Sequence, residues 1–286
     1  MMREVMRYGV GIFILLLVGL GCSATKRLLE LNSTPPAPPK STRSPTEEPS
    51  TPPPPTLPAQ ALTALEKQAE AGDAIAQYNL ALQLEAAGKL PEAAAWYQKA
   101  AAQKLREAEY NVGYMYAHGQ SLPQSDVNAA LWFQKAADQG LAVAQHMMGF
   151  LCTEGRGVPQ DYAKAIDWHR KAAEQGLADA QSHLGNLYAV GGIVKKADPS
   201  EAAKWFLRAA ENGVANAQFQ IGVFLARGDG VEQDVVEGYK WLNIASLSNH
   251  QGAKTARAEL LKQMRPDAVT EAQERTGEYI TKQRQK

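Results

Sequence analysis

The chain has 286 residues, with 30 Lys and Arg against 30 Asp and Glu, so its formal net charge is zero. That balance gives no electrostatic reason to expect nucleic acid or an anionic membrane surface as a partner. The two cysteines, Cys22 and Cys152, stand in unlike contexts and argue against a disulfide framework or a zinc site.

The N-terminus carries Arg3 and Arg7 and then an uncharged apolar run from Gly9 to Gly21. The run is short for a membrane span, which needs about 20 residues, and fits the core of a signal peptide. It ends Val18-Gly19-Leu20-Gly21-Cys22. A small residue directly before a cysteine at that place resembles the lipobox of bacterial lipoproteins. The resemblance implies that residues 1–21 are a signal peptide and that Cys22 is lipidated and becomes the first mature residue. Gly19 and Leu20 depart from the best lipobox, which has Leu three before the cysteine and a small residue two before. In enterobacterial lipoproteins an Asp after the cysteine retains the protein at the inner membrane. Ser23 in that place therefore implies the outer membrane, with the protein facing the periplasm.

Residues 22–59 read as a tether. Prolines recur from Pro35 to Pro58, including the run Pro52 to Pro55. Proline removes backbone donors, and almost no apolar side chain is present to bury. Asn32 to Pro58 is expected to be disordered with polyproline II character, reaching roughly 80 Å at about 3.1 Å per residue.

Residues 60–250 are organised by repetition. The tryptophans Trp96, Trp132, Trp168, Trp205 and Trp241 are spaced 36, 36, 37 and 36 residues apart. An Ala-Gln or Ala-Glu element begins at Ala76, Ala108, Ala144, Ala180 and Ala217, in four cases 12 residues after a Trp. A period near 36 predicts an all-α fold, an α-solenoid of stacked antiparallel helix pairs.

Each unit reads as a helix A and a helix B. In the third copy helix A runs from about Ala142 to Thr153, with Ala144, Met148 and Cys152 on one face. A Gly-rich loop, Gly155-Arg156-Gly157-Val158, stops it. Asp126, Asp161, Asp198 and Asp234 are expected to cap the B helices. Helix B of the third copy runs from about Tyr162 to Gln175. Gly113, Gly149, Gly185 and Gly222 lie inside A helices, where glycine costs about 1 kcal/mol. Close approach of helix B is the expected reason.

The pattern A-x-A-Q-x-x-(L/M/I)-G, then G-x-G-V-x-x-D, then W-x-x-(K/R)-A-A, resembles the Sel1-like repeat, a bacterial relative of the tetratricopeptide repeat. Copies three and five carry it most fully; Glu109 replaces Gln in copy two, and Ala81 replaces Gly in copy one. The resemblance implies a scaffold for protein–protein contacts. Residues 251–286 are expected to form C-terminal capping helices, and Ala61 to Ala71 an N-terminal cap.

No chemistry is evident. His118, His146, His169, His183 and His250 form no metal-binding spacing and read as surface or groove residues. Cys152 reads as a buried, inert thiol. No cofactor or metal is expected. Binding gives a better search. If Ala76, Leu80 and Leu84 face the core, the face of helix A turned from it carries Tyr78, Tyr110, Tyr114, His146, Phe150, Asn186 and Phe219. These are the expected contacts for a protein or peptide partner on the concave wall, the alternative being that some of them pack against the neighbouring A helix.

The sequence thus reads as a non-enzymatic, lipid-anchored interaction scaffold of the bacterial cell envelope. An envelope hydrolase acting on cell-wall or β-lactam-like substrates is one alternative, although no nucleophile–base pair is visible. A surface or secreted factor acting on a host is the other.

Overall fold

The computed structural model describes residues 59–190 and 197–285. The apolar run, Cys22, the proline-rich stretch and the Gly191-Gly192 loop lie outside the described residues. Among the described residues there are thirteen helices and no strand: α1 (Ala59–Glu70), α2 (Ala74–Ala86), α3 (Leu90–Ala102), α4 (Arg106–His118), α5 (Asp126–Asp138), α6 (Ala142–Glu154), α7 (Tyr162–Glu174), α8 (Ala178–Ala189), α9 (Pro199–Glu211), α10 (Ala215–Arg227), α11 (Val235–Leu247), α12 (Gln251–Leu261) and α13 (Pro266–Arg284).

Helices α2 to α11 form five A/B hairpins, and each helix packs chiefly on its neighbours in sequence. Small residues make that possible. Ala93, Ala129, Ala165 and Ala202 of the B helices are fully buried. So are Ala108, Ala144, Ala180 and Ala217 of the A helices. The helix glycines behave as expected. A Cβ on Gly113 would lie 2.8 Å from Phe133, one on Gly149 2.7 Å from His169, and one on Gly185 2.6 Å from Phe206. In each hairpin the residue after the Trp is the one that fills this gap.

The repeated glutamine joins successive hairpins. Gln77, Gln145, Gln181 and Gln218 donate from Nε2 to the carbonyls of Ala69, Ala137, Ala173 and Ala210, eight residues back near the end of the preceding B-type helix. Each of those carbonyls also accepts the N–H of the turn glycine that follows it (Gly72, Gly140, Gly176 and Gly213), so the glutamine takes the second lone pair of a helix C-terminal carbonyl. Gln103, Gln175 and Asn212 then donate to the Oε1 of Gln77, Gln145 and Gln181. In the second copy Gln139 donates to Glu109 at 2.7 Å, so the exceptional glutamate still closes the same link.

Caps follow the expectation with one correction. Asp161, Asp198 and Asp234 accept from the backbone N–H three residues on. In the second copy Ser125 is the cap, through Asn128 N–H, and Asp126 is the first residue of the helix. Asp126 is thereby free to take Arg156 from the next repeat, at 2.7 and 3.2 Å.

The first four Trp each carry a cation from the next turn: Lys99 sits 3.6 Å from the Trp96 ring centre, Lys135 3.6 Å from Trp132, Lys171 4.1 Å from Trp168 and Arg208 4.7 Å from Trp205, while Trp241 takes the preceding Lys240 at 4.5 Å. This accounts for the Trp-x-x-Lys spacing. The array ends on α12 and α13, and Tyr279 of α13 packs edge-on against Trp241 at 5.1 Å. No helix among the described residues is long and apolar enough to cross a membrane.

Candidate functional site: the outer face of the A helices

The stripe expected to meet a partner divides in two. Tyr110 is 2% exposed and its ring packs on Phe133 of its own hairpin at 5.4 Å. His146 is 2% exposed and Phe150 4% exposed. These three are corrected from wall residues to packing residues. In the second and third copies helix B of the same hairpin closes over the position two residues after the repeated alanine, with Phe133 against Tyr110 and His169 against His146.

Tyr78, Tyr114, Asn186 and Phe219 remain half-buried. Tyr78 lies 5.7 Å from Tyr97, whose hydroxyl donates to Glu85 at 2.6 Å. Burial, with the charges of Glu107 and Glu85, holds the Tyr78 phenol above its usual value, so it stays protonated. Tyr114 stacks on His118 at 4.0 Å. His118 closes helix α4 rather than standing in the loop after it. Phe219 stacks on His250 at 4.8 Å, and His250 caps α12 through Ala253 N–H. Asn186 has a buried amide nitrogen with no partner.

Sequence reasoning missed one constellation. His146, His169 and His183 come from three helices and meet, with ring centres 4.8, 5.0 and 5.5 Å apart. The available signal was His169 itself, in the slot that holds Tyr97, Phe133, Phe206 and Leu242 in the other copies. Burial pushes all three histidines below their ordinary value. Among the described residues no group of three or more His, Cys, Asp or Glu is arranged to hold a metal ion.

Cys152 is a buried free thiol, as expected, and burial followed by the charge of Asp161 pushes its pKa up. It lines a depression of about 440 Å³ with Met148, Trp168 and Lys171. A thiol held in its protonated form is a poor nucleophile. His146 and His169 pair with each other rather than with a hydroxyl or thiol, so the arrangement lacks an activated nucleophile.

The Sel1 repeat model matches residues 74–105, 106–141, 142–177, 178–214 and 215–250. The chain belongs to the Sel1 repeat family. Its boundaries coincide with the hairpins α2/α3 to α10/α11. Two solved structures agree. A Sel1 repeat protein from Oxalobacter formigenes is 32% identical with a TM-score of 0.64, over 70% of this chain and 59% of that one. A protective antigen of uropathogenic Escherichia coli with an SLR fold is 26% identical with a TM-score of 0.61, over 76% of this chain and 56% of that one. The chain thus spans somewhat over half the length of these two proteins. No curated protein gives a match. Sel1 repeats are scaffolds that typically mediate protein–protein contacts.

Proposed function

We propose that this Sel1 repeat chain is a non-enzymatic scaffold, lipid-anchored through Cys22 in the bacterial cell envelope, at the outer membrane facing the periplasm. It holds a protein or peptide partner along the concave face of the A helices. The observation that carries the binding half is the residue left over from packing. The repeated Ala, Gln and Gly positions of the A helices are spent on the stack, whereas Tyr78, Tyr114 and Phe219 keep part of their rings in solvent, and Asn186 sits on the same face with an unpaired amide. Rigid aromatic side chains of this kind are what interfaces use as anchors. The anchoring half rests on the apolar run that ends in Gly21-Cys22. Two or more acyl chains hold a protein stably on a bilayer.

A surface orientation, facing a host, is the second reading. The likeness to a protective antigen favours it, and the same face would serve.

The test is capture from intact cells after crosslinking. The triple variant Tyr78→Ala, Tyr114→Ala, Phe219→Ala should recover at least about tenfold less partner, with its helical circular dichroism retained. Equal recovery from a folded variant contradicts the reading. Incorporation of labelled fatty acid should be abolished in Cys22→Ser, and label that persists in this variant removes the anchor.

A further inference from the structure

The histidine trio lies at a seam. His146 belongs to α6 and His169 to α7, the two helices of the third repeat, while His183 belongs to α8 of the fourth. His146 Nδ1 and His169 Nδ1 are 2.9 Å apart. One imidazole must donate and the other accept, so the pair carries a single proton between these two atoms. The second nitrogen of His146, Nε2, is buried with no partner. His183 meets the edge of His146 at 5.0 Å and stacks on His169 at 5.5 Å. Gly149 makes room for the His169 ring, whose Cε1 would lie 2.7 Å from a Cβ there. The second copy places Tyr110 and Phe133 in the slots of His146 and His169, and fills the same space with hydrocarbon.

The surroundings offer little to offset a positive charge. Asp179, one turn before His183 on α8, is the carboxylate whose charge bears on the trio, and it acts on His183 alone. The charged groups of the packed helices are engaged elsewhere. On α5, Asp126 holds Arg156, Lys135 lies over Trp132, and Asp138 accepts from Gln134. On α6, Glu154 is the last residue. On α7, Lys164 pairs with Asp161, Arg170 with Asp167 and Tyr188, and Lys171 covers Trp168, with Glu174 at the helix end. On α9, Lys204 pairs with Glu201 and Arg208 covers Trp205, with Glu211 at the helix end.

We propose that His146, His169 and His183 form an acid-sensitive joint, at which the third hairpin and its seam with the fourth repeat open below neutral pH. The proposal is independent of the partner-binding reading. Protonating the acceptor nitrogen of the bonded pair turns it into a second donor and breaks the bond. A further charge sets two cations about 5 Å apart with no counter-ion between them. Opening to water relieves both.

The direction follows from linkage. The closed form holds the three rings below their ordinary value of about 6.5, so the opened form binds more protons once the pH falls below that value. The seam is therefore fully stabilised above about pH 6.5 and weakens as the pH falls further. Each proton taken up on opening multiplies the opening equilibrium about tenfold per pH unit, and two protons multiply it about a hundredfold. In a solenoid, hairpins contact only their neighbours, so a break at one seam leaves the flanking blocks folded.

Amide hydrogen exchange of the full chain, corrected for intrinsic rates, tests this between pH 7.5 and 5.5. Peptides from α6 to α8 should open at least about tenfold more per pH unit below 6.5, and peptides from α2 and α3 should not. The double variant His146→Tyr, His169→Phe, which installs the residues of the second copy, should flatten the acid response to that of α2 and α3. An undiminished response in a folded variant overturns the proposal. The wild-type protein gives a readout that needs no variant. By NMR, with free imidazole in the same sample as the reference, the buried His146 and His169 rings should resist protonation until the α6–α8 amides lose protection. Titration of both alongside the free imidazole, with protection intact, also overturns it.

Discussion

Gly157→Ala should weaken the array by about 3 kcal/mol, from about 1 kcal/mol of left-handed strain and about 2 kcal/mol of clash with the preceding repeat. Gly157 has φ +69°, and a Cβ there would fall 2.1 Å from the carbonyl oxygen of Asp126 and 2.4 Å from its carbon. Those are backbone atoms at the start of α5, in the preceding repeat, so they cannot rotate away as a side-chain tip would. Strain is the smaller part of the argument. Ser121 holds φ +58° without being glycine, so a side chain in that conformation is tolerated in this array. Contact decides. Gly140→Ala and Gly176→Ala are the controls, since both have positive φ with nothing within 4 Å of the added atom, and each should cost only about 1 kcal/mol. Urea unfolding of the three variants checks the order. Cβ on Gly230 would meet Pro199 C at 2.4 Å, so the fifth repeat leans on the fourth through the same contact.

Tyr110→Ala should cost more, about 3–5 kcal/mol, the range for emptying a large buried aromatic site. Its ring sits against Phe133, with Gly113 beneath the latter ring. Melting should drop by several degrees for each kcal/mol lost. Helices α4 to α6 should lose exchange protection first, because coupling in a solenoid is to nearest neighbours.

The parts of the fold that were legible in the sequence are those set within one hairpin. The constant 12 residues from Trp to Ala cover the end of one helix B, a turn on a glycine or Lys104, and the first turn of the next helix A. The Gly in helix A was readable as a close approach, and Phe133, His169, Phe206 and Leu242 fill it. What was not legible depends on how one hairpin is rotated onto the next. That rotation buries Tyr110 and His146 yet leaves Tyr114 half-open four residues further along the same helix. It also brings His183 beside His146, 37 residues away in sequence. A helical period states which residues share a face, but not which neighbour covers it. The link from Arg156 to Asp126 was hidden for the same reason, since Asp126 reads locally as a cap and that duty falls to Ser125.

The account's central claim is that the buried side chains of the A helices build the stack and the half-buried ones on the same face bind. Tyr110 and Tyr114 test it most directly, being one turn apart on α4 with one buried and one half-buried. Thermal stability and crosslinked partner recovery would be measured for Tyr110→Ala and Tyr114→Ala side by side, below the lower melting point. Tyr110→Ala should lose stability and keep its partner, while Tyr114→Ala should keep most of its stability and lose partner recovery. Full partner recovery by Tyr114→Ala, or loss of the partner by a still-folded Tyr110→Ala, would contradict it.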